Sequence, residues 1–322
     1  MAEGNAGKGI RVAAVLGPTA VGKSRIAVEV ARHLEAEIIS VDSMQVYRGM
    51  DIGTAKPGPE LQEIVPHHMI DVADPAEDYS VARFQREARR AVEEVAARGK
   101  VPLLVGGTGL YFEAVVYDLR FPPGGEEDEL RRELEKWAEE DLDGLKRRLR
   151  EVDPEFASRG DFSNPRRVIR AMEVYLRTGV PISRFQSRRG EQALVYPYCG
   201  VVLDAPRQAL YRAIDRRVEE MVSAGLVEEV KALAARGLSR TARQALGYKE
   251  VLSYLDSQKP LGETISEIKR RSRRYAKRQL TWFRRLPGLR WLRLEEHELL
   301  QHPPESWKRV LECLQEELSG GE

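Results

Sequence analysis

Short apolar runs rich in β-branched residues alternate along the chain with longer segments of helical periodicity. The runs that predict strands are Arg11–Leu16, Glu37–Val41, Val101–Val105, Leu194–Leu203 and Leu289–Leu294. Between them, segments such as Val81–Arg98 repeat apolar residues at every third or fourth position, which predicts amphipathic helices. Alternating strands and helices are typical of a parallel α/β sheet flanked by helices.

The sheet pattern is interrupted by a long charged segment. It opens with two prolines and two glycines at residues 122–125, and its apolar residues then follow helical spacing with few β-branched runs. This pattern predicts a helical insertion domain at residues 121–189, set into an α/β core formed by residues 1–120 and 190–322. In the second part of the core, amphipathic spacing predicts a long helix over Pro206–Leu238.

Composition indicates a globular protein. The 322 residues are 42% hydrophobic and 32% charged, which suffices for one large domain and a smaller one. The first residues lack an apolar signal sequence, and no stretch approaches the roughly 18 apolar residues that span a membrane. We therefore expect a cytoplasmic protein with no membrane partner. The two cysteines, Cys199 and Cys313, lack metal-ligand spacing and are expected to be buried small hydrophobic residues.

A phosphate-binding motif, G-x-x-x-x-G-K-[ST], follows the first predicted strand directly. Its residues are Gly17, Pro18, Thr19, Ala20, Val21, Gly22, Lys23 and Ser24. The glycines allow a tight turn that directs backbone N–H groups at anionic oxygens, and the following helix adds its positive N-terminus. Lys23 supplies a positive charge, and the Ser24 hydroxyl can bind Mg²⁺. The motif predicts a di- or triphosphate substrate on a P-loop NTPase-like sheet, and it leaves open whether phosphate is transferred or only held.

Two more predicted strands end in residues suited to chemistry. Asp42 follows the strand Glu37–Val41, and the segment Gly106–Tyr111, which contains Thr108, follows the strand Val101–Val105. Because ligands bind at the carboxyl ends of strands in open α/β sheets, both segments are expected to face the phosphate loop. From the residues alone, Asp42 fits three roles: a general base, a Mg²⁺ ligand through water, or a helix N-cap.

Positive charge is concentrated near the end of the chain although the net charge is only +1. The crowded basic residues are Arg270, Arg271, Arg273, Arg274, Lys277, Arg278, Arg284 and Arg285. Tyr275, Trp282 and Phe283 lie among them, and cations with interleaved aromatic rings suit an RNA stem and loop. The alternative is a solvated helix face with its aromatic residues in the core, which we favour for Trp282.

Several long blocks carry a pattern more specific than the phosphate motif. They are Gly17–Ser24, Asp42–Pro57, Pro66–Asp71, Gly106–Tyr111, Asn164–Ala171, Gly225–Glu229, Ala245–Glu250 and Tyr275–Trp282. Together they closely resemble the tRNA dimethylallyltransferases, also called tRNA isopentenyltransferases, over nearly the whole chain. The resemblance implies transfer of a dimethylallyl group from dimethylallyl diphosphate to N6 of the adenosine 3′ of a tRNA anticodon, with Mg²⁺ as cofactor.

The resemblance also implies roles for individual residues. Asp42 matches the family's general base, and an exocyclic adenine amine needs such a base because its lone pair is delocalised. Thr19 and Thr108 match positions that line the reaction channel. Arg217 matches an arginine that contacts the diphosphate, although the nearby Arg212 and Arg216 are alternative matches. The loop and Mg²⁺ near Ser24 would then stabilise the departing diphosphate.

The implied tRNA contacts fall in two regions, and the partner is the anticodon stem-loop. Beside Asp42 and Thr108, the target nucleotide would meet Ser43, Met44 and Gln45, where a glutamine amide can pair with an adenine edge. In the insertion, the matching residues are Arg166, Arg167, Val168, Ile169 and Arg170. We expect the enzyme to act as a monomer.

A zinc site is not expected. His67 and His68 are adjacent, but no Cys/His cluster accompanies them, which favours a structural or loop role. The chain ends soon after an amphipathic helix predicted over Trp307–Leu318, so the C-terminal zinc finger of some eukaryotic relatives is expected to be absent, as in the shorter bacterial form.

Three other functions compete with this interpretation. A small-molecule or nucleoside kinase would use the same loop for ATP, and a non-catalytic RNA-binding NTPase module would bind RNA without modifying a base. A prenyltransferase that acts on free adenosine phosphates is the third. The block Asp42–Pro57 and the basic helical segments argue against a kinase with a small acceptor, and the insertion's arginines favour tRNA.

Overall fold

The computed structural model describes residues 9–123, 128–158, 160–185, 193–257, 259–299 and 305–319. In these residues the strands form one parallel sheet, with the spatial order β3-β2-β4-β1-β5-β6. The strands are β1 (Val12–Leu16), β2 (Ala36–Ser40), β3 (His67–His68), β4 (Val101–Gly106), β5 (Tyr198–Asp204) and β6 (Leu289–Arg293). The expected fold class, a P-loop NTPase-like parallel sheet flanked by helices, is confirmed.

Helices cover the sheet because each presents an apolar stripe to it. The helix Lys23–Leu34, for example, buries Ile26, Ala27, Val30 and Ala31 against the sheet core. The helices before the insertion are α1 (Lys23–Leu34), α2 (Pro59–Gln62), α3 (Val81–Ala97) and α4 (Gly109–Val116). Those after it are α8 (Arg207–Ser223), α9 (Leu226–Arg236), α10 (Tyr248–Leu255), α11 (Leu261–Phe283) and α12 (Trp307–Ser319). No helix among the described residues is long and apolar enough to cross a membrane.

The contacts within the chain define two compact units. One contains the residues up to Val116 and those from Val195 onward, and the other is Tyr117–Leu194. The second unit is helical, with α5 (Glu129–Val152), α6 (Pro154–Ala157) and α7 (Pro165–Thr178). Helix α5 is kinked at Asp141, whose carboxylate accepts a hydrogen bond from the Gly144 N–H and so caps the second half of the helix. The unit has a core of its own, formed by Leu134, Leu145, Leu149, Phe156, Val168, Ile169 and Met172.

The structure differs from the predicted elements at one helix and one strand. The long helix expected over Pro206–Leu238 is divided into α8 and α9, because Gly225 between them has a φ of 101° that only glycine adopts readily. Strand β3 was not predicted, since it is two residues long and polar. Of the cysteines, Cys199 is buried as expected, and burial raises the pKa of its thiol to about 11, whereas Cys313 is half-buried.

Candidate active site

A cavity of about 590 Å³ opens where β2, β4 and β1 end. These strands are neighbours in the sheet, so the three predicted loops emerge side by side. Backbone hydrogen bonds join two of them directly, from the Val41 N–H to the Val105 carbonyl and from the Thr108 N–H to the Val41 carbonyl. The cavity is therefore built from segments far apart in sequence that the parallel sheet brings to one edge.

The phosphate loop takes the tight turn that its glycines predict. Gly17 has a φ of 152°, and a methyl group added there would lie 2.8 Å from the Leu203 carbonyl oxygen. Gly22, with a φ of 91°, precedes the first turn of α1, so helix N–H groups lie next to the cavity. Thr19, Ala20, Gly22, Lys23 and Ser24 line the cavity. Such a turn is suited to binding an anion.

Lys23 is held inside this turn. Its ammonium donates a hydrogen bond of 2.6 Å to the Pro18 carbonyl within the same loop. Desolvation, assisted by the positive charge of Arg217 and opposed by Asp42, lowers the pKa of Lys23 to about 7. Burial and the positive charge of Arg217 thus outweigh the attraction of Asp42 for the Lys23 ammonium.

Arg217 is the α8 arginine that reaches the same place. It is half-buried, lines the cavity and interacts electrostatically with Lys23 and Asp42. Desolvation lowers the pKa of its guanidinium, and the Asp42 carboxylate counteracts this. The two alternatives have other partners: Arg216 also lines the cavity but pairs with Glu220, and Arg212 pairs with Glu296. Arg217 is therefore the best placed of the three for a buried anion.

Asp42 caps the turn that follows β2 through one of its two carboxylate oxygens. Its Oδ1 accepts hydrogen bonds from the backbone N–H groups of Met44, at 2.9 Å, and Gln45, at 3.4 Å. This is the capping role that an aspartate plays at the start of a turn. Within the described residues Oδ2 accepts no hydrogen bond, and Asp42 lines the cavity. One carboxylate oxygen thus fixes the turn while the other is left for a substrate.

Thr108 connects the loop after β4 to the turn that contains Asp42. Its hydroxyl accepts a hydrogen bond of 3.3 Å from the Ser43 N–H and interacts with the Tyr275 hydroxyl. Gly106 and Gly107 of this loop line the cavity, whereas Thr108 is half-buried just behind them. Burial and the nearby Asp42 charge raise the pKa of Tyr275 to about 12, so its hydroxyl remains protonated.

Gln45 is held firmly in its present orientation. Its Oε1 accepts from the Ser40 hydroxyl at 3.0 Å, and its Nε2 donates to the carbonyls of Thr54 and Ala55, each at 3.4 Å. Ser43, Met44 and Gln45 all line the cavity, beside Asp42. A base that enters the cavity here would meet a carboxamide whose oxygen and nitrogen are both already hydrogen-bonded within the protein.

Ser24 and Asp42 provide the oxygen donors that a Mg²⁺ ion prefers, a hydroxyl and a carboxylate, and both line the cavity. No group of three or more His, Cys, Asp or Glu side chains forms a metal cage anywhere in the described ranges. Mg²⁺ commonly binds through one or two protein oxygens together with substrate phosphates, so this donor set fits it. The histidines have structural partners, since His67 bonds to the Val65 carbonyl and His68 to Glu37.

The insertion places its predicted tRNA-contact residues in three environments. Arg166 and Arg167 are exposed on the first turn of α7, whose N-cap is Asn164. Val168 and Ile169 are buried, so their side chains pack in the core of this unit instead of facing a partner. Arg170 is half-buried and pairs with the fully buried Glu173 at 3.0 Å. Of the five, the two exposed arginines are placed to meet an RNA phosphate.

The basic segment runs along α11 and continues into Arg284 and Arg285 just after the helix ends. Part of its charge is neutralised, because Arg271 pairs with Glu267 and Glu250, and Arg273 pairs with Asp215. The exposed cations for which the described residues provide no ion pair are Arg274, Lys277, Arg278, Arg284 and Arg285. Arg278 also lines the cavity and lies over the Tyr275 ring, 5.6 Å from its centroid. Basic charge thus extends to the cavity itself.

One residue of the site was not singled out from the sequence. Gln279 is 5% exposed and bonds to both the phosphate loop and the Gly106–Tyr111 loop. In the sequence, Gln279 could have been found as a polar residue on the inner face of an amphipathic helix, in register with the buried Ala276 and Phe283. A buried polar side chain at such a position requires hydrogen-bond partners, which is what the structure supplies.

Family models match the chain in two parts. The model described as IPP transferase matches residues 45–286, and the model described as isopentenyl transferase matches residues 10–71. Curated relatives include the tRNA dimethylallyltransferase of Geobacillus kaustophilus, 49% identical over 283 residues, which cover 87% of this chain and 90% of the relative. That of Moorella thermoacetica is 50% identical over 295 residues, covering 89% of this chain and 91% of the relative.

Solved structures are similar over the same extent. The full-length tRNA isopentenylpyrophosphate transferase from Bacillus halodurans is 41% identical with a TM-score of 0.67, covering 96% of this chain and 98% of that one. A eukaryotic dimethylallyltransferase acting on tRNA is 28% identical with a TM-score of 0.78, covering 96% of this chain and 80% of that one. With a family model over most of its length and relatives near half identity, this chain belongs to the IPP transferase family.

Proposed function

We propose that this protein transfers a dimethylallyl group from dimethylallyl diphosphate to N6 of the adenosine 3′ of a tRNA anticodon, and releases diphosphate. The observation that carries the proposal is a single cavity that joins an anion-binding turn to a carboxylate, with Lys23, Arg217 and Asp42 lining it. The names of the relatives, tRNA dimethylallyltransferases, support it and give no support to the kinase alternative.

The reaction makes one bond and breaks another. The adenine N6 attacks the first carbon of the allyl group, the carbon–oxygen bond breaks, and its electron pair leaves with the diphosphate. N6 must lose one proton, and Oδ2 of Asp42 accepts it, while Oδ1 stays bound to the turn. Because Oδ1 is already fixed by backbone N–H groups, the base needs little reorganisation when the nucleotide enters.

The negative charge that develops in the reaction lies on the departing diphosphate, which the phosphate loop would hold. Lys23, Arg217 and the loop N–H groups stabilise the negative charge that grows on the diphosphate as the bond breaks. Ser24 would hold Mg²⁺, which neutralises part of that charge when bound. The exposed Arg166 and Arg167 and the basic face of α11 bind the tRNA backbone.

The direct test is mass spectrometry of nucleosides from tRNA incubated with the protein, dimethylallyl diphosphate and Mg²⁺. We expect a dimethylallyl increment on adenosine that requires the prenyl donor. A parallel incubation uses ATP, and another uses adenosine monophosphate as the acceptor. Transfer to the free nucleotide but not to tRNA would refute the proposal that tRNA is the acceptor. ATP consumption without any prenylated base would refute prenyl transfer and favour a kinase.

The base assignment has a matched variant. Asp42→Asn keeps an Oδ1 that can accept from Met44 and Gln45 but cannot take a proton, so the turn is preserved and the base is removed. We expect kcat to fall by at least about 100-fold. The affinity for tRNA, measured by filter binding, should stay within about threefold because no phosphate contact is lost. Normal turnover by this variant would contradict the base assignment.

A further inference from the structure

Helix α11 presents a row of side chains to the loops that form the site. Tyr275, Gln279 and Trp282 are spaced by four and three residues and therefore lie on one face of the helix. Tyr275 interacts with Thr108, and Gln279 is buried between two loops. Trp282 lies so close to Gly109 that a methyl group there would come within 2.1 Å of the indole. The face thus packs tightly on the loop that follows β4.

The carboxamide of Gln279 joins the two loops of the site. Its Oε1 accepts a hydrogen bond of 2.9 Å from the Thr19 N–H in the phosphate loop. Its Nε2 donates one of 2.9 Å to the Gly107 carbonyl in the loop after β4. A methyl group at Gly107 would lie 2.2 Å from that Nε2, so the close approach itself requires glycine. The amide NH₂ and the carbonyl oxygen of one side chain therefore connect the phosphate loop to the loop after β4.

We propose that Gln279 is a positioning residue for prenyl transfer, because its carboxamide holds the phosphate loop and the Gly106–Tyr111 loop in one fixed register. The inference rests on the proposed function. The reaction requires the allyl carbon, held through its diphosphate by Lys23 and Arg217, to meet an amine held beside Asp42 and Thr108. A displacement of about 1 Å between such groups can lower a rate 100-fold.

Glutamine has the length and the paired acceptor and donor that the two bonds at this position require. Asparagine is shorter by one methylene, and methionine has similar length but forms neither hydrogen bond. An ionised glutamate could accept from the Thr19 N–H but would place its second negative oxygen against the Gly107 carbonyl. A protonated glutamate, in contrast, can accept from Thr19 and donate to Gly107, as glutamine does.

The first test compares two glutamine-to-methionine variants. Gln279→Met removes both bonds to the loops. The control, Gln85→Met, removes a hydrogen bond of 3.0 Å from a half-buried glutamine on α3 to the Ala114 carbonyl, away from the cavity. We expect Gln279→Met to lower kcat by at least about tenfold while the KM for tRNA changes less than about twofold. Gln85→Met should leave kcat within about twofold, with a similar decrease in Tm in both variants.

The second test uses Gln279→Glu and its pH profile. Burial of the introduced carboxyl should raise its pKa well above the usual range of a glutamate. The kcat of this variant relative to wild type should therefore rise as the pH falls from about 8 to about 6, because protonation restores the donor to Gly107. The same ratio for Gln279→Met should stay flat. A flat ratio for Gln279→Glu, or equal losses of kcat in the two methionine variants, would overturn the inference alone. Absence of transfer by the wild-type protein would overturn the proposed function and this inference with it.

Discussion

Binding of diphosphate should be coupled to protonation of Lys23. With a pKa of about 7, only about one tenth of the Lys23 side chains carry a proton at about pH 8, whereas about nine tenths do at about pH 6. A bound diphosphate adds negative charge next to the ammonium and raises its pKa. At about pH 8, binding should therefore take up about 0.9 proton at this residue, and at about pH 6 only about 0.1.

Calorimetry measures this uptake directly. Inorganic diphosphate is titrated into the protein with constant Mg²⁺ in two buffers of different ionisation enthalpy, and the difference in heat gives the number of protons bound. Lys23→Arg is the control, because a guanidinium is fully charged at both pH values and cannot take up a proton. Subtracting the proton uptake of Lys23→Arg from that of wild type removes the contribution from protonation of diphosphate itself. Equal uptake by the two proteins at about pH 8, or a difference between them that does not fall at about pH 6, would refute the reasoning.

Three further predictions concern stability, each measured by urea unfolding. Glu229→Gln should lower the free energy of unfolding by about 2 kcal/mol. The Glu229 carboxylate accepts hydrogen bonds from three successive backbone N–H groups and from a tyrosine hydroxyl. An unchanged free energy of unfolding would show that the charge of this carboxylate is dispensable for these bonds. Gly109→Ala should cost about 1–3 kcal/mol through overlap with the adjacent indole, and a neutral result would contradict the tight packing. Arg170→Ala should lower the free energy of unfolding by about 1–3 kcal/mol, because it leaves the buried Glu173 with one partner fewer. An unchanged free energy of unfolding would show that Arg170 does not stabilise Glu173.

The sequence contains enough information for the sheet and for the loops that follow its strands. Each long strand and the phosphate loop are local patterns, so periodicity and spacing predict them without knowledge of the tertiary structure. The break at Gly225 was missed because amphipathic spacing continues on both sides of it, and a positive φ leaves no trace in that pattern. The strand His67–His68 was missed because it is polar and is stabilised by pairing with β2.

The contacts across the site could not be predicted in this way. Gln279 bonds to partners 260 and 172 residues away in sequence, and nothing in its neighbours specifies which loops it will meet. The same holds for Arg217, which sequence alone does not separate from Arg212 and Arg216. The choice follows from tertiary contacts, since Arg216 and Arg212, one and five positions away on α8, pair with Glu220 and Glu296.

Two of the three roles that the sequence allowed for Asp42, a cap and a general base, are compatible because its two oxygens can be used differently. A cap needs one acceptor, and Oδ1 supplies it to the N–H groups of Met44 and Gln45. Those bonds fix the plane of the carboxylate, which sets the position of Oδ2 before any substrate arrives. A base that was held by both oxygens would be too well satisfied to take a proton, and one held by neither would have to be ordered in each turnover. The capping role is therefore a requirement of the proposed catalytic role, and Asp42→Asn separates them.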